Sequence, residues 1–269
     1  MKKILVVLIL SLFSLTSYAQ SILGGKVTGN FQMDIQASKE DSIIGAEKVN
    51  EKLLSNAFAN INYTSGDFSA GLRFESYLNP ILGFDAQYKG VGIPYRYASY
   101  NKDYLEVTVG NYYEQFGNGL IFRSYEERNL GLDNAMDGLR IVAKPVSGVA
   151  IKGVIGKQRY YWEDIWKNNN GLIRGLDAEI SLNDLITKLN NSSTRLTLGG
   201  SFVSVYEQAN PKIITLDGDM YKMIIPENVG AMAVRFDFSH KAFFLSGEYA
   251  YKGQDPNAEI GRASCRERV

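Results

Sequence analysis

Segments of about ten residues in which apolar and polar side chains alternate recur along this chain. Alternation with a period of two predicts β-strands that have one apolar and one polar face. The first segment places Val27, Phe31 and Ile35 on one face and Gln32 and Asp34 on the other. We count about eleven such strands between residues 20 and 258.

The connections between these strands are alternately short and long. The short ones lie near 65–67, 101–103, 145–148 and 239–241, one of intermediate length lies near 183–193, and the long ones lie near 37–53, 79–93, 115–137, 159–171 and 207–227. This alternation places short turns at one end and long loops at the other, which is typical of membrane barrels and not of Greek-key sandwiches. We predict an all-β fold, an antiparallel up-and-down transmembrane β-barrel.

The amino-terminal segment has the features of an export signal. Lys2 and Lys3 precede an apolar run over residues 4–15, and Ser17-Tyr18-Ala19 provides a small-residue cleavage site. We therefore predict a signal peptide over 1–19 and a mature chain that begins at Gln20. The apolar run is too short to span a bilayer as a helix. Together with the strands, the signal predicts location in the outer membrane and contact with its lipid.

The last residues correspond codon by codon to a sequencing adapter that continues into a stop codon. We therefore expect residues 259–269 to be an adapter-derived artefact and residues 20–258 to be a partial barrel domain. An odd count of eleven strands agrees with truncation, because bacterial single-chain barrels have an even number. The parent barrel is expected to be larger.

Residue composition argues against several functional classes. Cys265 lies in the adapter-like tail and His240, the single histidine, lies in a predicted turn, so we predict no catalytic, cofactor-binding or metal-binding residues and no enzymatic activity. Residues 20–258 hold 24 basic and 27 acidic residues, once the five basic and two acidic residues outside that range are set aside. This slightly negative balance predicts no nucleic-acid partner.

Aromatic residues are concentrated near the ends of the predicted strands. They lie beside the long loops at Tyr112, Tyr113, 160–162, Tyr249 and Tyr251, and beside the short turns at Tyr63, Phe68 and Tyr104. Rings with a polar group favour the two membrane interfaces. The alternative is that tyrosine is common at strand ends in any sheet protein.

The long connection within residues 110–138 is rich in glycine and in charges of both signs. One interpretation folds it into the lumen of a porin-like barrel, where its charged residues would line a constriction. The other is a solvated external loop with local salt bridges. Gly117 and Gly119 lack the third glycine of a dinucleotide-binding fingerprint. The candidate constriction residues are Glu114, Arg123, Glu126, Glu127, Arg128, Asp133, Asp137 and Arg140.

In this stretch, and in the signal that ends Tyr18-Ala19-Gln20, the chain resembles an uncharacterised family of Bacteroidetes-type outer-membrane β-barrel proteins. The likeness covers the amino-terminal portion of such a protein. It implies a barrel fold and an outer-membrane location. It implies no activity, substrate or cofactor.

Three functions are consistent with these features. The first is a pore or transport component of unknown substrate, whose polar strand faces would line a wet lumen. The second is a non-catalytic structural or assembly component that docks an outer-membrane protein partner. The third is a soluble periplasmic β-rich binding protein.

Overall fold

The computed structural model describes residues 21–22, 24–37, 43, 53–159, 171–208, 213–216, 219–222 and 226–253. The predicted signal peptide, the adapter-like tail and the aromatic run 160–162 lie outside these residues. The described chain is all-β and is built on one antiparallel sheet.

Eleven long strands form this sheet, as the sequence predicts, and each pairs with the next one in the chain. The order is therefore an up-and-down meander. The strands are β1 Gly25–Ala37, β2 Leu53–Ser65, β3 Phe68–Asn79, β4 Gly90–Lys102, β5 Leu105–Tyr112, β6 Met136–Ala143, β7 Val149–Gln158, β8 Leu172–Ser181, β9 Thr194–Tyr206, β10 Asn228–His240 and β11 Phe243–Lys252.

Smaller elements decorate the meander. Ser21–Ile22 pairs with the start of β1. Three short hairpins lie in long connections, and one helical turn, α1, spans Leu182–Leu185. The hairpins pair Glu114–Gln115 with Arg123–Ser124, Glu126–Glu127 with Leu132–Asp133, and Ile213–Leu216 with Asp219–Lys222, and the 3₁₀ turns are Ala86–Tyr88, Arg128–Leu130 and Thr187–Leu189.

The alternation of short and long connections is confirmed. Three connections contain only two residues, and each of these turns begins with a residue of positive φ, namely Gly66 at 55°, Asp103 at 49° and Lys241 at 53°. Such backbone angles are typical of tight hairpins, whose twist they match. All the short turns therefore lie at one end of the sheet, with the longest connections at the other.

One face of the sheet, here called the outer face, presents apolar side chains to the outside. At least one large apolar residue more than a third exposed lies on this face in every long strand. One example from each strand, in chain order, is Phe31, Ile61, Phe74, Val91, Val109, Ile141, Ile151, Leu176, Leu198, Val234 and Leu245. The opposite, inner face carries the polar residues.

The inner face is concave. Arg128 Nη1 donates to Gln32 Oε1 on β1 at 3.3 Å, and the backbone N–H of Asn118 donates to Glu248 Oε2 on β11 at 2.9 Å. In a flat sheet β1 and β11 would lie roughly 48 Å apart. Residues 118–128 belong to one folded connection, so the sheet must curve around it. Within the described residues β1 and β11 do not pair with each other, and the sheet is open.

Candidate functional site

Residues 113–135, the inner loop, connect β5 to β6 and lie against the inner face. The loop turns back sharply between its two hairpin arms, where the backbone N–H of Gly119 donates to the Phe116 carbonyl at 2.9 Å. Gly117 and Gly119 have φ values of 53° and 87°, a region that glycine enters without steric cost. The glycines of this stretch therefore shape a compact loop instead of a nucleotide-binding turn.

Apolar side chains anchor one half of the inner loop. Phe116 and Phe122 are completely buried, with ring centroids 4.9 Å apart, and Ile121 is buried beside them. They pack against residues that project from the inner face of six strands. These partners are Tyr112, Met136, Val154, Ile173, Val203, Ala231 and Ala233.

A buried charge cluster anchors the other half. We use this name for Arg73, Glu75, Asp133 and Arg159, each no more than 5 % exposed. Arg73 donates to Glu75 Oε1 and to Asp133 Oδ2, each at 2.5 Å. Arg159 donates to Glu75 Oε2 at 2.8 Å and to Asp133 Oδ2 at 2.9 Å.

The charge cluster joins three parts of the chain. Arg73 and Glu75 lie on β3, Asp133 lies in the inner loop, and Arg159 directly follows β7. Two guanidinium groups face two carboxylates, so the cluster is neutral as a whole. Buried ions are tolerated only when they are paired and hydrogen-bonded in this way. The cluster therefore fixes the position of the inner loop against β3.

Aromatic rings enclose the charge cluster. The Tyr113 hydroxyl donates to Asp133 Oδ1 at 2.9 Å, and its ring stacks on Tyr95 at 5.6 Å. Burial, together with the charge of Asp133, raises the pKa of Tyr113. Burial also raises the pKa of Tyr88 to about 12, although Arg159 nearby opposes that change. Both hydroxyls thus remain protonated and act as hydrogen-bonding groups at neutral pH.

Glu126 and Arg128 extend the charge cluster toward the edge of the sheet. Glu126 Oε1 accepts from Arg73 Nη1 at 3.0 Å and from Arg128 Nε at 2.8 Å. Arg128 in turn lies over the ring of Phe58, 4.5 Å from its centroid. The inner loop is therefore tied by Glu126 to β3, and by Arg128 to Phe58 on β2 and to Gln32 on β1.

A second ion-pair group lies at the start of the inner loop. Glu114 accepts from Arg140 Nε at 2.6 Å and from Lys152 Nζ at 2.8 Å, and Arg140 also donates to Glu106 at 2.6 Å. Burial of Glu114 favours its neutral form, but the hydrogen bonds from Lys152 and Arg140 outweigh it and lower the pKa of the carboxyl. Glu114 is therefore held as a carboxylate.

A third ion-pair group lies farther along the inner face. Arg235 donates to Asp177 Oδ1 at 2.8 Å and to Glu179 Oε2 at 3.1 Å. Ser201 also donates to Asp177, at 2.6 Å. Cations and anions on the inner face thus compensate each other strand by strand.

Seven of the eight predicted constriction residues belong to the inner loop or to the inner face. Glu127 is half-buried, and Arg123 lies 4.0 Å above the ring of Tyr125. Asp137 is the exception, since it lies on the outer face and accepts from Arg96 at 2.8 Å. The other five, placed as described above, are Glu114, Glu126, Arg128, Asp133 and Arg140.

Several residues of this site were not predicted from the sequence. Arg73 and Glu75 lie on the polar side of an alternating strand, which was the available signal. No local sequence pattern predicts that Arg159 pairs with Glu75 and Asp133, or that Lys152 pairs with Glu114. Tyr112 is buried and Tyr113 is half-buried in the inner-face contacts, so their predicted place at a membrane interface was wrong.

The residues that the structure describes contain neither a membrane-crossing helix nor a cluster of metal-ligating side chains. None of the helices there has the length and apolar character needed to cross a membrane. Groups of three or more histidine, cysteine, aspartate or glutamate side chains suited to a metal ion were not found in that part of the chain.

Comparison with known proteins gives one assignment. Residues 1–266 match a family described as a family of unknown function, DUF6029. No curated protein matches the chain.

Proposed function

We infer that this chain, which belongs to the DUF6029 family of unknown function, is an outer-membrane β-barrel protein and a pore or transport component of unknown substrate. In this proposal the inner loop narrows the lumen. The observation that carries the proposal is the exposed apolar outer face on all eleven strands, opposite a concave polar face.

The size of the apolar surface supports a lipid environment. Soluble monomers rarely expose contiguous apolar patches larger than a few hundred Å². Here Phe31 is 67 %, Val234 60 % and Tyr249 69 % exposed, and a large apolar residue more than a third exposed lies on every strand between them. In a bilayer, lipid would cover this face and remove its apolar surface from water.

Strand length and topology support a barrel. Transmembrane β-strands need about 9–11 residues when tilted, and the long strands here have 8 to 13 residues. The meander, the parity of the connections and the concave inner face support an up-and-down barrel. Contacts from one loop to β1 and β11 fit a sheet that curls toward closure.

The charged inner loop supports a constriction. Pores select solutes with charged side chains that line the narrowest point. Arg128, Glu126 and Arg123 are only partly buried on the inner loop, and they would meet a solute that passes the charge cluster.

A non-catalytic structural or assembly component is the second candidate. The completely buried Phe116 and Phe122 favour it, because their packing fills the inner face beside β7, β8, β9 and β10. A barrel filled in this way would conduct poorly and would instead present its loops to an outer-membrane protein partner.

The test is detergent extraction followed by single-channel recording of the refolded full chain in a planar bilayer. Reproducible conductance steps are expected, with larger steps in Phe116→Ala, which weakens the loop anchor. A bilayer that stays closed for both proteins would reject the pore and leave the structural role. Release from membranes without detergent would reject both and establish the soluble alternative.

A further inference from the structure

A row of polar residues crosses the outer face, and on β5 to β10 it lies near the end that carries the long connections. Strand register aligns them side by side, Asn111 with Asp137, Asp137 with Lys157, and Tyr206 with Asn228. We call them the rim row. Its members are Arg96, Asn111, Asp137, Lys157, Arg174, Tyr206 and Asn228.

The alternation within each strand places the rim row on the outer face. Asp137 shares its side of β6 with Ile141, and Arg174 shares its side of β8 with Leu176, both exposed apolar residues. On β4, Arg96 lies on the side opposite Tyr95, whose ring contacts Arg73 on the inner face. The rim row therefore lies on the same side of the sheet as the apolar residues, with Asn111 itself buried.

Hydrogen bonds preorganise the arginines of the rim row. Arg96 Nη2 donates to Asp137 Oδ2 at 2.8 Å, and its Nη1 donates to Asn111 Oδ1 at 2.9 Å. Arg174 Nη2 donates to Asn228 Oδ1 at 3.0 Å and the residue stays exposed. A guanidinium has five N–H donors, so each arginine retains donors for another acceptor.

The charged members of the rim row are three cations, Arg96, Lys157 and Arg174, and one anion, Asp137. Lys157 and Arg174 lie near the long-connection end of β7 and β8, and Arg96 lies in the middle of β4. On the long strands that the structure describes, one further outward-facing lysine or arginine occurs, Lys102, and it adjoins a short turn at the opposite end. Between the two ends the outer face is apolar.

We propose that the rim row binds the phosphate groups of outer-leaflet glycolipid headgroups. This inference rests on the proposed outer-membrane barrel. Arginine pairs with phosphate in a two-pronged geometry and lysine as a point charge. Basic groups at the edge of an apolar band meet headgroups at this depth. Tyr206 adds an amphipathic ring suited to the same interface.

The test uses the full chain reconstituted in phosphatidylcholine vesicles that contain a minor fraction of bis-phosphorylated lipid A. Native mass spectrometry counts the lipid A retained after mild detergent extraction. Two variants are compared with the parent protein. The rim double variant carries both Lys157→Gln and Arg174→Gln, and the matched control carries Lys102→Gln. A parallel reconstitution replaces the lipid with its dephosphorylated form.

Retention should fall by roughly fivefold or more in the rim double variant and be unchanged in the Lys102→Gln control. The dephosphorylated lipid should be retained poorly by all three proteins. Equal retention by the double variant and the parent, or equal retention of both lipids, would overturn the inference while the barrel stands. If the parent protein fails to insert, as judged by complete protease digestion of its strands, the barrel and the inference fall together.

Discussion

Arg159 and Glu75 lie 84 residues apart in the chain, yet the Arg159 guanidinium donates to both oxygens of the Glu75 carboxylate, at 3.2 and 2.8 Å. The same guanidinium reaches Asp133 of the inner loop at 2.9 Å. One side chain thus connects the end of β7, the middle of β3 and the loop that lies between them on the concave face. The position of the inner loop depends on these contacts.

Replacement of Arg159 should therefore destabilise the protein. In Arg159→Met, Glu75 keeps Arg73 but loses its second guanidinium partner while it remains fully buried. We expect the free energy of unfolding to decrease by about 3 kcal/mol, because a buried charge is left poorly compensated. Urea unfolding in detergent micelles, followed by the far-UV circular dichroism of the strands, measures the change.

The matched control is Arg195→Met. Arg195 is an exposed arginine near the short-turn end of β9, so its removal should change the unfolding free energy by less than about 0.5 kcal/mol. Equal losses for the two variants would show that the charge cluster contributes no more than an ordinary surface arginine.

The second prediction concerns the apolar anchor of the inner loop. Phe116 is completely buried and stacks near Phe122, so Phe116→Ala should remove about 3 kcal/mol of packing and leave a cavity under the loop. Limited proteolysis with peptide mapping should then cut within 113–135 faster than in the parent protein. Phe31→Ala, on the exposed outer face, should leave that cleavage rate unchanged, and a rate raised equally in both variants would refute the anchor.

Local alternation was sufficient to predict the strands and the turns. It also determines the side on which each strand residue lies. Val107 and Val109 face outward, so parity places Tyr112 on the inner face, and Leu139 and Ile141 likewise place Asp137 on the outer face. Those two positions could have been predicted by extending the alternation to the strand ends.

The partners within the site could not be predicted in the same way. Which inner-face residues meet depends on the curvature of the whole sheet and on the path of the inner loop. Arg73 and Arg159 meet Asp133 only because four strand pairings and the loop conformation bring them together. The spacing of residues in a single strand encodes neither the curvature of the sheet nor the path of the inner loop.

The third prediction is a pH dependence that arises from Glu114. Its pKa is lowered from 4.5 in the folded protein, so its ionised form stabilises the fold. The contribution is fully present above about pH 4.5, the ordinary value for the unfolded chain, and is lost as the pH falls below it. Unfolding free energies of the parent protein and of Glu114→Gln should therefore differ at pH 7 and converge toward pH 3.

Glu207→Gln is the control for this experiment. Glu207 is exposed directly after β9, and its replacement should change the unfolding free energy at pH 7 by less than about 0.5 kcal/mol. A difference between the parent protein and Glu114→Gln that persists unchanged to pH 3 would mean that Glu114 acts through packing and not through its charge.

The last prediction separates a lipid-covered outer face from a solvated one. Val234 lies in the middle of β10 and is 60 % exposed, whereas Asn228 begins the same strand, on the same face, in the rim row. Exposed positions of a soluble protein tolerate arginine with little change. In a bilayer the cost depends on depth, about 2–4 kcal/mol at the midplane and about 0–1 kcal/mol near an interface. Val234→Arg should therefore lower the unfolding free energy in lipid vesicles by about 3 kcal/mol and Asn228→Arg by less than about 1 kcal/mol. Equal, small losses of unfolding free energy at both positions would place the outer face in water. The predicted difference arises because the cost of an arginine depends on its depth in a membrane.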